Sequence, residues 1–594
     1  MSAYAAPLKD MRFVLGELAG LSEVAKLPGC EEATPETVDA ILDEAAKFAR
    51  GVLDPINYSG DQEGSKWKDG AVSTPKGFKE AYRKYVEGGW GALPVSQEWG
   101  GQGLPRLVST PVEEMWCSGN MSFSLCPMLT QGALHAIELR GSEQLRKTFL
   151  PKMASGEWTG TMNLTEPQAG SDLALVKTRA VRAGEHYRIS GQKIFITYGE
   201  HDFTGNIVHL VLARTPEAPE GVKGISLFIV PKFLVNPDGS IGKRNEARCA
   251  SIEHKLGIHA SPTAVMVFDN AIGYLVGEEN KGLSTMFIMM NAARFAVGLE
   301  GVSIAERAFQ RALAFSRERL QGRDLVEGGK TVPIIRHPDV RRMLMLMKSQ
   351  TEAMRALAYV VAAAMDTAAR HPDKGAREQN QAFVDLMIPV VKGWSTETGI
   401  EVASLGVQVH GGMGFIEETG AAQHLRDARI ATIYEGTTGI QANDLLGRKI
   451  AREGGATAKA WLAHLKGFDA ELARSGSADV KAIRAALAAG AAAVGESVDY
   501  IVANAGKDVL SAFAGAVPFL KLMGIVAGGW QMARAALAAE NKLASGDRAF
   551  YAAKIATARF YADQVLVQAP ALRDTVVKGA SAVMAVPEES MLAA

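Results

Sequence analysis

The spacing of the apolar positions changes along the 594-residue chain and divides it into regions. From residue 37 to about 152, as in "TVDAILDEAAKFARGVL", apolar residues recur at helical intervals, so we predict a helical domain. Between residue 160 and about 277, short runs such as "KIFIT" and "GISLFIV" are bounded by Gly, Pro, Asn and Asp, which is typical of strands. The order of a helical region, a strand region and further helices argues against a doubly wound sheet, because strands and helices alternate throughout such a fold.

Helical spacing returns after the strand region. The segment "VRRMLMLMKSQTEAMRALAYVVAAAM" places on one broad face Val340, Met343, Leu344, Met347, Met354, Leu357 and Val361. Such a stripe is typical of the core of a helix bundle. After "AREGGATAK", an Ala-rich region predicts an additional helical domain with a loose tail from about residue 587. We therefore expect a mainly α protein with a central β domain, divided at 1–159, 160–280, 281–450 and 460–594.

Composition narrows the class of protein. Hydrophobic residues make up 47% and charged residues 22%, with a formal net charge of −1, so no bulk attraction to nucleic acid or anionic lipid is expected. Lys9, Asp10 and Arg12 interrupt the apolar N-terminus, and no uninterrupted apolar run reaches membrane-spanning length. The four cysteines are widely spaced, without the CxxC pattern of zinc sites or a disulfide framework. We expect a cytoplasmic protein with no membrane span and no metal site.

Candidate chemistry is concentrated at Ile433–Gly447, "IYEGTTGIQANDLLG". Thr437 or Thr438 can cap the following helix, and a carboxylate at Glu435 would favour the positive end of its dipole. That interpretation needs no catalysis. The alternative is that Glu435 is a general base. Other motifs in the chain are needed to distinguish the capping interpretation from the catalytic one.

Three other Gly-rich or Thr-rich stretches lie at the edges of the predicted regions. They are "MNLTEPQAGSDLA" at Met162–Ala174, "KIFITYG" at Lys193–Gly199 and "QVHGGMGF" at Gln408–Phe415. Each alone is a weak signal. In this order, together with "YEGTTG", "PVSQEWGGQG" and "KLGIHASPTAVMVFDN", they resemble the acyl-CoA dehydrogenase family of flavoproteins, over most of residues 38–448.

The resemblance implies FAD bound between a middle β domain and a C-terminal four-helix bundle. It assigns flavin and phosphate contacts to Met162, Leu164, Thr165 and Ser171. Phe195 takes the position of a ring stacked on the isoalloxazine, where the family often has Trp, and Thr197 supplies a hydroxyl. Gln408, Gly411 and Gly412 match a segment that reaches the FAD of a neighbouring subunit, which implies a homodimer. The family's FAD-binding Arg maps to Arg319 as first choice and Arg317 as second, because "SRERLQGRDL" is one residue shorter than the family motif.

For the reaction, the resemblance implies that Glu435 removes the α-proton of an acyl-CoA thioester, with its N–H on the thioester oxygen. Gly436 lets the backbone approach the substrate, Ser171 is a further substrate contact, and Thr437 contacts the flavin. One branch of the family carries its base at the position of Ala293, which cannot accept a proton, so this role falls to Glu435. The neighbouring Arg294 would contact substrate and either tune Glu435 or form a structural ion pair.

The region after residue 451 resembles a long bacterial subgroup of the family. Within it, "HGGMGFIEETGAAQHLRDARIATIYEGTTGIQANDLLGRK" is most similar to enzymes that act on 3-methylmercaptopropionyl-CoA, with a short-chain or medium-chain fatty acyl-CoA as the alternative. Met115–Leu134 is a candidate wall of the acyl pocket, since it mixes Met, Phe and Cys with small residues. The expected electron acceptor is an electron-transfer flavoprotein or a similar carrier. Two rivals are an acyl-CoA oxidase and a non-catalytic assembly or binding protein.

Overall fold

The described part of the N-terminal region contains eight α-helices and a short, mostly exposed hairpin. The computed structural model describes residues 3–326, 328–544 and 546–592. The helices are α1 (Leu8–Phe13), α2 (Leu21–Val24), α3 (Pro35–Phe48), α4 (Asn57–Glu63), α5 (Phe78–Glu87), α6 (Arg106–Gly119), α7 (Met121–Arg140) and α8 (Glu143–Ala154). The hairpin of β1 (Lys66–Lys68) and β2 (Ala71–Ser73) was not predicted, because three-residue strands are too short to show an alternating pattern.

The middle region is built on a seven-stranded sheet. Its strands are β3 (Trp158–Asn163), β4 (Arg179–Ala183), β5 (His186–Thr197), β6 (Asn206–Ala213), β7 (Ser226–Pro231), β10 (Ala247–Ile252) and β11 (Thr263–Leu275), and β8 (Phe233–Val235) and β9 (Ile241–Arg244) form a separate pair. The order is β3-β6-β7-β11-β5-β4, with β10 on β11. Only the β3–β6 contact within this sheet is parallel among the described strands. "HYRIS" and "KIFIT" prove to be two halves of β5.

Three long helices form the frame of the C-terminal bundle. They are α9 (Gly282–Glu318), α10 (Pro338–Arg370) and α11 (Lys374–His410), followed by the short α12 (Ala421–Ala428) and α13 (Thr438–Asn443). A hairpin of β12 (Leu320–Arg323) and β13 (Thr331–Pro333) connects α9 to α10. The predicted core stripe of α10 is confirmed, since Met347, Met354 and Leu357 are fully buried.

The additional C-terminal helices pack against this bundle. They are α14 (Ala456–Leu472), α15 (Ala478–Asn504), α16 (Val509–Ala514), α17 (Ala516–Lys542), α18 (Arg548–Gln564), α19 (Ala569–Lys578) and α20 (Ala580–Val583). Glycines let α17 approach α11 closely: a Cβ added at Gly524 would lie 2.1 Å from Cγ of Trp394. By length and composition α9 and α15 are candidate membrane spans, but 72% of the apolar window of α9 is buried in the protein.

A buried charge network joins the N-terminal segment, the bundle and the additional helices. The Arg355 guanidinium donates to Asp10 at 2.7 Å, to Glu114 at 2.6 Å and to Glu306 at 2.6 Å. Lys554 of α18 donates to the same Asp10. A buried guanidinium is tolerated only when carboxylates surround it, so this network fixes how the three parts pack together.

Candidate active site

Glu435 lies in the turn that precedes α13. The Thr437 hydroxyl accepts from the Ile440 N–H at 3.3 Å, so the predicted helix cap at Thr437 is confirmed. Glu435 itself is outside the helix, with φ 55°, and Gly436 follows with φ 86°. A left-handed conformation costs a residue with a Cβ roughly 1–2 kcal/mol, so the surrounding structure must hold this turn.

Two buried side chains hold the turn at its carbonyl groups. Lys392 of α11 donates from Nζ to the Gly436 carbonyl at 2.6 Å. Gln441 of α13 donates from Nε2 to the carbonyls of Glu435 and Gly436, both at 3.2 Å. Both side chains are fully buried, so their hydrogen bonds do not compete with water.

The same surroundings set the charge of Glu435. Burial raises the pKa of this carboxyl to about 7, and the positive charges of Lys392 and Arg294 oppose that rise. Burial in turn lowers the pKa of Lys392 to about 8. Arg294 is also paired with Asp444 at 3.3 Å, so it forms an ion pair and tunes Glu435 at once. A carboxyl whose pKa lies near neutral pH is suited to take up and release a proton.

A second buried carboxyl, Glu300 of α9, lies beside this group. Burial raises its pKa to about 8, while the hydrogen bond from Tyr434 and the charge of Lys392 oppose the rise. The Tyr434 hydroxyl donates to Oε2 of Glu300, and Oε1 is buried with no hydrogen-bond partner in the described part of the chain. Tyr434 directly precedes Glu435, so the two acids are joined through one residue.

Sequence reasoning missed three residues of this site: Lys392, Gln441 and Glu300. A signal was present for two of them. Lys392 is the only charge in "IPVVKGWS", and Glu300 is the only charge in "AVGLEGVS". A single charge within an apolar helical run predicts a buried and partnered group, because an unpaired one would be too costly to bury.

Glu300 also lines a narrow cavity of about 50 Å³ between α6, α7 and α9. The lining residues are Tyr85, Trp90, Leu93, Pro94, Ser109, Val112, Glu113, Trp116, Cys117, Ser124, Pro127, Met128, Gln131, Ala296, Leu299 and Glu300. Six of them, from Trp116 to Gln131, belong to the segment Met115–Leu134. Pro94, Glu113, Met128, Gln131 and Ala296 also line a larger adjoining cavity. The arrangement offers a largely apolar pocket with an acid at its wall.

The loop after β3 and the end of β5, both predicted to hold a flavin ring, are joined by hydrogen bonds. Buried Lys193 donates to the Leu164 carbonyl at 2.9 Å, and the Ile194 N–H donates to the Thr165 carbonyl at 2.9 Å. Phe195, at φ 60°, leaves its ring 60% exposed beside them. An exposed aromatic face next to fixed backbone fits a planar flavin ring.

Three other predicted contacts flank this edge. Met162 is buried in β3, Thr197 is half-buried at the end of β5, and Ser171 is exposed in the loop after β3. These three residues therefore differ in their exposure to solvent.

Arg319 and the segment Gln408–Gly412 lie together at another end of the bundle. Phe315, just before the Arg, stacks on His410 with ring centroids 4.3 Å apart. Arg317, Arg319 and Gln408 are exposed. At 1.5 Å per residue, α9 carries Glu318 roughly 36 Å from Arg294. One chain therefore does not bring this segment together with Glu435.

The family models match almost the whole chain. They are described as the acyl-CoA dehydrogenase N-terminal domain at residues 35–157, the middle domain at 161–271 and the C-terminal domain at 280–450. A fourth, described as acetyl-CoA dehydrogenase C-terminal like, matches 457–587. The chain belongs to the acyl-CoA dehydrogenase family. It is an oxidoreductase that uses FAD to dehydrogenate acyl-CoA thioesters, which confirms the predicted class, fold and cofactor.

Two curated relatives extend over nearly the full length. The 3-methylmercaptopropionyl-CoA dehydrogenase of Ruegeria pomeroyi is 51% identical over 572 residues, covering 96% of this chain and 97% of the relative. A butyryl-CoA dehydrogenase of Syntrophomonas wolfei is 36% identical, covering 95% of each chain. The crystal structure of an acyl-CoA dehydrogenase complexed with FAD from Bacillus anthracis has the same fold, with a TM-score of 0.75 at 21% identity, over 96% of this chain and 92% of that one.

Proposed function

We propose that the protein oxidises 3-methylmercaptopropionyl-CoA to methylthioacryloyl-CoA, with Glu435 as the general base. The observation that carries the base is its electrostatic setting: a half-buried carboxyl with a pKa of about 7, flanked by the buried Lys392 and Arg294. The sulfur-containing substrate is supported by the relative from Ruegeria pomeroyi, which shares half of its residues with this chain.

In the proposed reaction, the ionised Glu435 takes the proton from the α-carbon of the thioester. The electron pair of that C–H bond becomes the second bond between the α- and β-carbons. Bound FAD supplies the acceptor for the hydride that leaves the β-carbon. The thioether sulfur lies beyond the β-carbon, so its presence does not alter the sites of bond breaking.

The turn around Glu435 has two further tasks. The Glu435 N–H stabilises the negative charge that develops on the thioester oxygen, in the manner of an oxyanion hole. Gly436 has no side chain to block the substrate, and Lys392 and Gln441 fix its carbonyl. Entry of the acyl chain would expel water and raise the pKa of Glu435 further, which makes the carboxylate a stronger base in the complex.

FAD would be held at two places. Met162, Leu164, Thr165, Ser171, Phe195, Thr197 and Thr437 are the proposed contacts within one subunit. Arg319, Gln408, Gly411 and Gly412 are proposed to reach the FAD of a second subunit, because they lie beside the C-terminal end of α9, roughly 36 Å along that helix from Arg294. We therefore propose a homodimer. An electron-transfer flavoprotein is the proposed electron acceptor, and the cytoplasm the proposed location.

A short-chain fatty acyl-CoA is the second candidate substrate. The butyryl-CoA dehydrogenase of Syntrophomonas wolfei, 36% identical, favours it. One apolar group more or less in a pocket changes kcat/KM by only about 10–200-fold, so we expect graded acceptance of chains of similar length.

Turnover of a panel of acyl-CoA thioesters with an artificial electron acceptor tests the proposal. The expected order of kcat/KM places 3-methylmercaptopropionyl-CoA above palmitoyl-CoA, with butyryl-CoA and valeryl-CoA also accepted. An optimum at twelve or more acyl carbons would reject the sulfur substrate. Turnover with oxygen as the only acceptor would instead indicate an oxidase.

A further inference from the structure

The carboxyl of Glu300 has one oxygen without a hydrogen-bond partner among the residues that the structure describes. The residue is 3% exposed and lines the narrow cavity, and this oxygen is the buried Oε1. An unpartnered buried oxygen is costly, so its retention at a cavity wall calls for an explanation.

The partner of the other oxygen determines where a proton on this carboxyl lies. Tyr434 donates its hydroxyl hydrogen to Oε2, so Oε2 acts as an acceptor. With the Tyr434 hydroxyl as the donor to Oε2, the proton of a neutral Glu300 is placed on Oε1, the free atom. Burial raises the pKa of Glu300 to about 8, which keeps the group mostly protonated at neutral pH. The cavity wall then offers a hydrogen-bond donor.

The cavity wall near Oε1 of Glu300 consists largely of polarisable sulfur and aromatic groups. Cys117 and Met128 contribute sulfur atoms, and the rings of Trp90 and Trp116 meet edge to face with centroids 5.0 Å apart. Sulfur and aromatic side chains make favourable contacts with a thioether. A purely apolar chain would gain the same packing but would leave the Oε1 proton unpaired.

From this geometry we propose that Glu300 is a specificity-determining residue, which donates a hydrogen bond from Oε1 to a weak acceptor such as the thioether sulfur of a short acyl chain. The inference rests on the proposed function, because it requires the acyl chain to enter this cavity. Tyr434 bonds to Glu300 and directly precedes Glu435, and the charge of Glu435 contributes to the raised pKa of Glu300, so the two acids lie near each other. Glu300 thus selects what lies beyond the β-carbon, and Glu435 acts at the α-carbon.

The sharpest test compares two thioesters of equal length. Valeryl-CoA has a methylene where 3-methylmercaptopropionyl-CoA has sulfur, so the ratio of their kcat/KM values isolates the sulfur. A thioether is a weak acceptor, and a neutral hydrogen bond predicts a ratio of roughly 3–10 in favour of the sulfur substrate for the FAD-loaded enzyme.

Variants of Glu300 separate the effect of its hydrogen-bond donor from the effect of its packing in the cavity wall. Glu300→Gln can still accept from Tyr434 and present an N–H to the cavity, so it should keep most of the preference. Glu300→Leu has no donor, so the ratio should fall to about 1. Glu113→Gln is the matched control: this carboxyl lines the same cavity, but both its oxygens already accept from Arg106, at 2.7 and 2.8 Å. It should keep the ratio of the unaltered protein.

Each outcome has a distinct meaning. A wild-type ratio near 1, or an undiminished ratio in Glu300→Leu with bound FAD and Tm retained, overturns the role of Glu300 while leaving the dehydrogenase reaction intact. If Glu300→Leu does not fold, Glu300→Met, which is closer in shape to Glu and also lacks a donor, takes its place, and an undiminished ratio in that variant overturns the role equally. Failure of the unaltered protein to oxidise either thioester rejects the proposed function itself.

Discussion

Lys392 donates a hydrogen bond of 2.6 Å to the carbonyl of Gly436, the residue that follows Glu435. The lysine therefore acts on the candidate base in two ways. It fixes a turn in which two consecutive residues have positive φ, and its charge favours the ionised form of the Glu435 carboxyl. Both effects come from a side chain with no access to solvent.

Replacing Lys392 by Met should move the pH dependence of flavin reduction to higher pH. Because the positive charge holds the pKa of Glu435 down, its loss raises that pKa, by roughly one unit or more. Stopped-flow reduction of bound FAD by substrate, measured from pH 6 to 9, gives the pH at which the rate is half of its maximum. Lys449→Met is the control, since Lys449 is paired with Asp385 at 3.8 Å rather than with the turn. A lower rate of flavin reduction with an unchanged midpoint pH would show that Lys392 has only a structural role.

In the unaltered protein, flavin reduction under kcat/KM conditions should accelerate as the pH rises through about 7. The base must be ionised to accept the α-proton, and the pKa of Glu435 in the free protein is raised to about 7. Below that value the ionised fraction falls, so the rate should drop roughly tenfold for each pH unit. A rate that is flat from pH 5.5 to 8 would be incompatible with this carboxyl as the base.

The shared flavin site predicts that FAD content and assembly change together. Arg319→Ala should lower both the FAD retained after gel filtration and the proportion of dimer, because ligand binding and association stabilise each other. Arg317→Ala is the matched control, two residues earlier on the same exposed segment. If Arg317→Ala loses FAD while Arg319→Ala keeps it, the contact belongs to Arg317. A stable monomer with one FAD per chain would contradict sharing altogether.

The buried network around Arg355 should dominate the stability of the packing between regions. Arg355→Met leaves Asp10, Glu114 and Glu306 without their central cation, which should cost roughly 3–5 kcal/mol of unfolding free energy. Lys9→Ala removes only an exposed pair with Asp547 and should change the unfolding free energy far less, because solvent screens the pair. Chemical denaturation monitored by circular dichroism compares the two variants. Equal losses of unfolding free energy in the two variants would show that the buried network stabilises the protein no more than an exposed ion pair does.

Much of the fold was predictable because its signals are periodic. The core stripe of α10 and the short strands of the middle region follow from the spacing of apolar residues alone. For α10, the complete burial of Met347 and Met354 confirms the stripe. The hairpin at residues 66–73 was missed because its strands are too short to carry a period. The division of β5 into two runs reflects Gly191, which interrupts the apolar alternation without ending the strand.

The site was predictable only in part, for a different reason. Motifs identify residues that sit in unusual local sequence, such as Glu435 within "YEGTTG". Lys392 and Glu300 lie inside long helices, 44 and 134 positions from the residues they bond in the turn region. Their roles arise from tertiary contacts between α9, α11 and the turn before α13, which no local pattern encodes.

Anaerobic stopped-flow reduction of bound FAD by 3-methylmercaptopropionyl-CoA, in the unaltered protein and in Glu435→Gln, tests the central claim most directly. The amide is nearly isosteric, so FAD content and Tm should be unchanged, while loss of a positioned base should slow flavin reduction by roughly 10²-fold or more. Glu397→Gln is the control, since this acid of α11 bonds to Thr438 beside the same turn. A Glu435→Gln protein that reduces its flavin at close to the normal rate would show that another group removes the α-proton.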